Sequence, residues 1–583
     1  MSMSASMSKV KEIKTDILIL GAGGAGLFAA LHAKKDAPEL DITIVVKGLL
    51  GKCGCTRMVQ GGYNVALAPG DSVERHFMDT INGGKWLNNQ TLAWKLVEGA
   101  QIRIRELENE LGCFFDRNAD GSVHQKAFAG QTFDRTVHKG DLTGIEIVNR
   151  LAEQVWKRNV NRLEDHRALD LISAGDGQSI AGALLLDMRS GEIVFARAKA
   201  VLLATGGGPT MYRYHTPSGD KTCDGLAMSL RLGLPLRDME MVQFHPTGLL
   251  AGDDTRMTGT VLEEGLRGAG GWLLDSSGER FMQEYDAQGE RATRDVVSRS
   301  IMDRILKGFG SPNGGVWIQM SHLGSDNVRR LFKGMVERCA DCGFDLAAGR
   351  VEVIPTAHYM MGGVMFDAEC RTEIPGLYAA GEDTGGVHGA NRLGGNGVAN
   401  STVFGGYAGE SMARDVYNGP RHHADPDHAM MEASLARALG PVGRKAGDLE
   451  GIRRSLHAVM WNDVGILRSA EGLCRAESAL DDLAHEVADA GVSDDDRRYN
   501  LAWTDRLNLE NMILVSQAIL KASQTRLDSR GAHFRIDHPE TSDLSTSCFT
   551  VVRQCGERVV VAEEPVMFNI VRPGETVLAE GLA

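Results

Sequence analysis

The chain has 583 residues, 43% of them hydrophobic and 24% charged, the balance of a folded globular protein and not of a disordered one. Its 70 glycines, about 12% against a usual share of about 7%, cluster without a period of three, which excludes collagen and points to tight turns and backbone pressed against a ligand. A formal charge of −14 argues against a nucleic-acid partner and leaves room for a small anion held by a local pocket of Arg and His. In chain order, Met1 to Asp16 carries no small-residue cleavage site. The apolar stretch from Ile17 to Leu31 is broken by four glycines and is too short to span a bilayer, so no transmembrane segment and a cytoplasmic location are expected.

The first predicted strand, Asp16 to Leu20, runs into Gly21-Ala-Gly23-Gly24-Ala-Gly26 and then an Ala-rich helix. Strand, G-x-G-x-x-G and helix in that order form a dinucleotide site. Gly21 makes the tight turn, Gly23 with Gly24 lets a pyrophosphate approach the backbone, and Gly26 lets helix and strand pack closely. A second strand, Ile42 to Val46, ends at Lys47 where an acidic ribose ligand is usual, so the motif alone leaves NAD or FAD open. Two further strands end in glycine turns, Ala200 to Ala204 before Thr205-Gly206-Gly207-Gly208, and Ile374 to Ala380 before Gly381-Glu382 and the loop His388 to Gly397. Three such pieces so far apart imply one discontinuous cofactor domain with other material inserted between them.

Farther along, Leu507 to Lys521 places apolar residues at three- and four-residue steps and is predicted as a core-packed helix. Cys548-Phe-Thr-Val-Val and Arg558-Val-Val-Val-Ala are predicted as two strands joined by a polar turn. The ten cysteines are irregularly spaced, and the lone Cys339-x-x-Cys342 has no second pair, so no metal site or iron–sulfur ligand set is expected.

Taken together, several segments resemble the flavoprotein subunits of succinate dehydrogenase and fumarate reductase, a family that includes L-aspartate oxidase. They are Thr56-Arg-Met-Val-Gln60-Gly61-Gly62, Met239-Glu-Met-Val-Gln-Phe-His245-Pro-Thr247-Gly248, Glu264-Gly-Leu-Arg267-Gly, Arg294-Asp-Val-Val-Ser-Arg299, Pro355-Thr-Ala-His358, His388 to Asn396 and Ser529-Arg-Gly-Ala-His533. They occur in the family's order over nearly the whole chain. The resemblance implies an α/β protein with FAD as cofactor: a discontinuous Rossmann-like FAD-binding domain over residues 1–237 and 352–425, an inserted α+β capping domain over 238–351, a helical domain over 426–528, and a small β module over 529–583.

It also implies roles. Gly21, Gly23, Gly24, Gly26, Lys47, Cys55, Thr56, Gln60, Gly61, Gly62, Thr205, Gly206, Asp224, Glu382 and Asn396 are expected around FAD, with Glu382 on the ribityl chain. His245, His358 and Arg392 are expected to hold a succinate- or fumarate-like dicarboxylate, Arg392 in bidentate fashion. Arg294 is expected to transfer the proton while hydride passes between substrate carbon and flavin N5. A free Arg is a poor acid or base, so neighbours must support it, and Glu264 with Arg267 matches the family's proton relay. An iron–sulfur or other electron-transfer protein is the expected partner, through which the chain would lie peripheral to the inner membrane.

Two positions depart from the pattern, and a third bears on the substrate. Cys55 stands where succinate dehydrogenases carry the His that binds FAD covalently, which leaves cysteinyl-FAD and non-covalent FAD both open and makes the reductive direction easier. Glu263 replaces a Thr that bonds a substrate carboxylate, and a carboxylate there repels a dianion unless it turns away, is protonated or meets another group. Phe128 matches succinate dehydrogenases and not the Glu of L-aspartate oxidases, although Glu263 is an alternative partner for a substrate amine. Amino-dicarboxylate oxidation is therefore carried as the alternative activity.

Overall fold

The computed structural model describes residues 10–252, 255–556 and 558–579. Residues 1–9, which include most of the segment without a cleavage signal, lie outside them. In chain order, the elements that position the site are β1 (Lys11–Leu20), α1 (Gly24–Asp36), β2 (Ile42–Val46), β3 (Ile193–Leu203), β4 (Val242–Leu249), α2 (Arg294–Arg304), β5 (Arg350–Met360), β6 (Leu377–Ala379), α3 (Asn396–Asn418), α4 (Leu501–Thr525), β7 (Cys548–Cys555) and β8 (Arg558–Pro565). The first strand starts at Lys11 and not at Asp16, because it pairs in parallel with β3 all the way from Lys11↔Val194 to Leu20↔Leu203.

Strand β3 joins the distant parts of the chain into one sheet. Along one edge it pairs with β1, which pairs in turn with β2. Along the other edge its first half lies antiparallel to Ile180–Asp187 and its second half parallel to β6, at Leu377↔Val201 through Ala379↔Leu203. The ends of β1, β3 and β6 therefore emerge side by side, and the glycine clusters that follow them share one edge. Ligands in open α/β sheets bind outside the carboxyl ends of the strands, in such a crevice. Burial explains the composition: Ile17, Leu18, Ile19, Ile44, Val201, Leu202 and Leu203 are fully enclosed, as sheet faces covered by helices require.

Between Val242 and Met360 the chain builds a second, antiparallel sheet in the order β4, β5, Val316–Gln319, Trp272–Leu274. It has its own core, with Leu249, Leu273, Phe281, Val297 and Ile301 among its members. Strand β4 carries irregularities on both sides of the Phe244–His245 pair, and such bulges re-aim side chains. The expected helix over Leu507–Lys521 extends to Leu501–Thr525, because the Asn500 side chain accepts the Trp503 N–H at 2.9 Å and caps it. The two C-terminal strands form the hairpin β7–β8, and β7 docks on Leu236–Arg237. Among the described residues no helix is long and apolar enough to cross a membrane, and no cluster of His, Cys, Asp and Glu is arranged to hold a metal.

Candidate active site

At the turn between β1 and α1, steric contact explains two of the glycines. Gly21 lies at φ +113°, and a Cβ there would stand 2.0 Å from the Ala204 carbonyl oxygen; one on Gly26 would stand 2.0 Å from the Gly21 oxygen. Gly23, as the N-cap of α1, makes no side-chain hydrogen bond to the first turn. Thr56 accepts from the Gly24 N–H at 3.1 Å, bringing the Cys55–Met58 turn beside the cluster. Gly61 and Gly62 are pressed against the Phe128 ring and the Val137 carbonyl.

Asp383 ties the second and third clusters together. It accepts from the backbone N–H groups of Thr205 and Gly206 and from Thr205 Oγ1 at 3.0 Å, while Thr205 Oγ1 accepts from Gly225. Glu382 beside it accepts from the N–H groups of Met360 at 3.1 Å and Gly208 at 3.3 Å. Lys221 Nζ donates to the Thr205 carbonyl at 2.5 Å. Burial, reinforced by Glu382 and opposed by Lys221, pushes the Cys55 thiol up to about 12.

Four expected cofactor side chains are engaged elsewhere. Lys47 binds Asp224 at 3.1 Å, and Asp224 also receives Arg167 at 2.8 Å and Asn511 at 2.7 Å. Gln60, in the amide orientation that satisfies it, meets the Arg338 guanidinium of the inserted segment at 3.1 Å. Asn396, at the start of α3, bonds Asn64, His76 and Thr80. The side chains of Lys47, Gln60, Asp224 and Asn396 thus each meet protein groups at these positions.

Facing this edge, three elements and a loop bring the expected substrate residues together. His245 from β4 and His358 from β5 have ring centroids 5.5 Å apart. Arg294, the first residue of α2, bonds Glu264 through Nη2 at 2.7 Å and Nε at 2.8 Å, and Gln243 Oε1 through Nη1 at 3.1 Å. Gln243 in turn donates to the Arg392 carbonyl at 2.7 Å, which fixes the spacing of the two arginines. Arg392 is buried, its guanidinium lies 4.4 Å over the Tyr359 ring, and its Nε has no partner. Arg267 stands 3.9 Å from Glu264 and donates to the Glu290 carbonyl at 2.7 Å.

Electrostatics sort these groups by role. Burial, with Arg294 and other cations adding to it, drives both His245 and His358 well below the ordinary imidazole value, so both are neutral. His245 Nδ1 accepts the Thr247 N–H at 3.3 Å, so its Nε2 carries the proton and can donate. His358 Nδ1 contacts the Thr216 hydroxyl at 2.8 Å. Burial lowers Arg392 to about 10, which still leaves it charged. Burial works against ionisation of Glu264, but Arg294 and Arg267 outweigh it and hold its carboxyl below the usual range. Arg294 and Arg392 thus bring charged donors beside the neutral imidazoles, a set suited to an anionic ligand.

Glu263 is the exception. Its carboxylate turns to Lys126 Nζ at 3.4 Å, in a cavity also lined by Phe128, Glu264 and Arg267. Lys126 thus supplies Glu263 with a partner within the protein. Phe128 is buried between Gly61 and Gly394 and borders that same cavity. Sequence reasoning passed over Gln243, Asp383, Lys221 and Lys126. Gln243 had a signal, since it lies two residues before His245 and shares its face of the strand.

A family profile for an FAD binding domain matches residues 16–398, and one for the fumarate reductase flavoprotein C-terminal region matches 453–578. One subunit of the fumarate reductase (CoM/CoB) of Methanothermobacter marburgensis is 41% identical over 90% of this chain and 95% of its own length. The chain belongs to the succinate dehydrogenase/fumarate reductase flavoprotein family. The flavoprotein subunit of Escherichia coli fumarate reductase is 33% identical over 91% of this chain and 89% of its own. A solved quinol–fumarate reductase with menaquinol superposes with a TM-score of 0.91, at 32% identity, over 97% of this chain and all of that one. As a member of the family the chain is an FAD-dependent oxidoreductase. Its residues fit the cofactor: Gly21 and Gly26 admit no Cβ at the turn into α1, and His388 Nδ1 and Asn400 Oδ1 are buried without partners.

Proposed function

We propose that the chain interconverts fumarate and succinate, working physiologically toward succinate. The observation that carries this reading is the convergence of Arg294, Arg392, His245 and His358. Gly21, Gly23, Gly24, Gly26, Thr56, Thr205, Gly206 and Glu382 would hold FAD along the sheet edge, with Cys55 beside them. The cofactor supplies hydride chemistry at N5.

Everything else falls to the chain. Arg392 grips one carboxylate through its free Nε edge, and the neutral His245 and His358 donate to the other. Desolvated donors of fixed geometry polarise the double bond, because they need not reorganise as charge develops. Arg294 stands ready to protonate the adjacent carbon, with Glu264 and Arg267 to restore its proton. Fixed distances through Gln243 keep proton donor and carboxylate clamp in register, which converts encounter into positioning.

The reductive direction is supported by relatives named fumarate reductases and by Cys55, whose protonated thiol is a poor nucleophile. Relatives named as subunits support a separate electron-transfer partner. Amino-dicarboxylate oxidation loses its residue-level argument, because Glu263 is paired with Lys126 and not available to an amine. Holoprotein reduced anaerobically and mixed with fumarate should regain its oxidised flavin spectrum and release one equivalent of succinate. Reoxidation by oxygen alone, with peroxide formed on adding L-aspartate, would overturn the reading.

A further inference from the structure

Two adjacent carboxylates stand at the relay, and the reaction above uses one. Glu264 faces Arg294; Glu263 faces the other way, into a cavity of about 600 Å³ whose walls also include Glu264 and Arg267. The cavity therefore reaches the relay residues Glu264 and Arg267, and it is roomy enough for several waters. Phe128 stands between it and the loop carrying Arg392, since a Cβ on Gly394 would fall 2.6 Å from its ring. The Ala129 N–H, from the segment after Phe128, donates to Glu264 Oε1 at 3.3 Å.

We propose that Glu263 feeds protons from this cavity to Glu264, acting as a positioning residue of the relay and not as a substrate ligand. The inference rests on the proposed dicarboxylate chemistry. In the reducing direction Arg294 gives its proton to the substrate carbon opposite the hydride acceptor carbon, and Glu264 returns one to Arg294. Glu263 passes its carboxyl proton through the cavity to Glu264, and solvent reprotonates Glu263. One solvent proton is consumed per cycle, and every protein group ends as it began.

The surroundings separate the two carboxylates as such a path requires. Glu264 is held low by two guanidiniums, whereas burial, with Asp141 and Glu264 contributing, pushes Glu263 above the ordinary value against the pull of Lys126. Adjacent carboxyls with divided affinities are the usual mark of a donor and an acceptor. Facing Glu263 are Lys126 from the Gln125–Lys126 strand, Asp141 from the following loop, and Glu264 with Arg267 from its own segment. Glu290, Arg291, Arg330 and Lys333 also line the cavity. His124 and His138 at the mouth bond each other at 2.6 Å, and burial, with Lys126 next, lowers His138 to about 4. The imidazole of His138 is thus neutral in the working range.

The test is the single-turnover rate at which fumarate reoxidises the reduced holoprotein, measured across pH in light and heavy water. Glu263→Gln should slow it roughly 10-fold or more above neutral pH, enlarge the solvent isotope effect and leave the half-saturating fumarate concentration within about 2-fold; Glu263→Asp should recover most of the rate. Lys126→Met, which removes the cation and keeps the carboxyl, should move the alkaline fall-off to higher pH. An unchanged pH profile and isotope effect in Glu263→Gln, or weaker fumarate binding with the saturated rate intact, would overturn the proposal. Wild-type protein that fumarate does not reoxidise would instead overturn the function on which it rests.

Discussion

At the scale of single residues, two groups have protonation states that experiment can read directly. Cys55 occupies the position of a flavin-linking residue, yet burial raises its thiol to about 12, so the nucleophilic thiolate is scarce at neutral pH. Acid denaturation should release all yellow colour from the polypeptide, and Cys55→Ser should bind the same amount of flavin; colour that stays with the protein would contradict this. His76 is buried under the start of α3, where its Nε2 meets Asn396 at 3.0 Å and its Nδ1 has no partner. Burial, with Arg135 adding to it, lowers His76 to about 3, whereas an unfolded imidazole titrates near 6.5. Between those values the unfolded chain binds the extra proton, so the stability His76 contributes is present above about pH 6.5 and declines as pH falls. His76→Gln should therefore lose less stability than wild type between pH 6 and 4, by about 1.4 kcal/mol per pH unit; parallel denaturation curves would contradict this.

At the scale of elements, the glycine turns are held by a carboxylate that the sequence does not advertise. Asp383 gathers the N–H groups of Thr205 and Gly206 with the Thr205 hydroxyl, tying the end of β3 to the end of β6. Asp383→Ala would leave them buried and unpaired, at a cost of about 2–4 kcal/mol, and should weaken flavin binding; calorimetric FAD titration with thermal melts would check both effects. The contrast with Gly21 shows what sequence can reveal. A tight turn beside a strand is a local backbone demand that only glycine meets, so it appears as a motif. Asp383 acts across 178 positions and the Lys126–Glu263 pair across 137, and nothing in the local pattern marks which distant segments will meet. For the same reason the sequence does not show that Lys47 pairs with Asp224, Gln60 with Arg338, or Asn396 with Asn64 and His76.

At the scale of the whole molecule, the sheet edge and the inserted antiparallel sheet divide the work. The edge supplies the glycine turns; the insertion supplies His245, Glu264, Arg267, Arg294 and His358. Arg392 comes from the loop before α3, and Gln243 binds that loop to Arg294. Arg299 of α2 donates to the Gly531 carbonyl at 2.7 Å, linking the insertion to the C-terminal region. The site exists only when both parts are together, so its central claim concerns their joint product: a dicarboxylate clamp with a proton donor beside it. The most direct measurement is stopped-flow reoxidation of reduced holoprotein by fumarate in wild type and in Arg294→Ala, with fumarate binding to the oxidised forms measured in parallel. The account predicts that Arg294→Ala still binds fumarate but is reoxidised roughly 10²–10⁴-fold more slowly; reoxidation within a few-fold of wild type would contradict it.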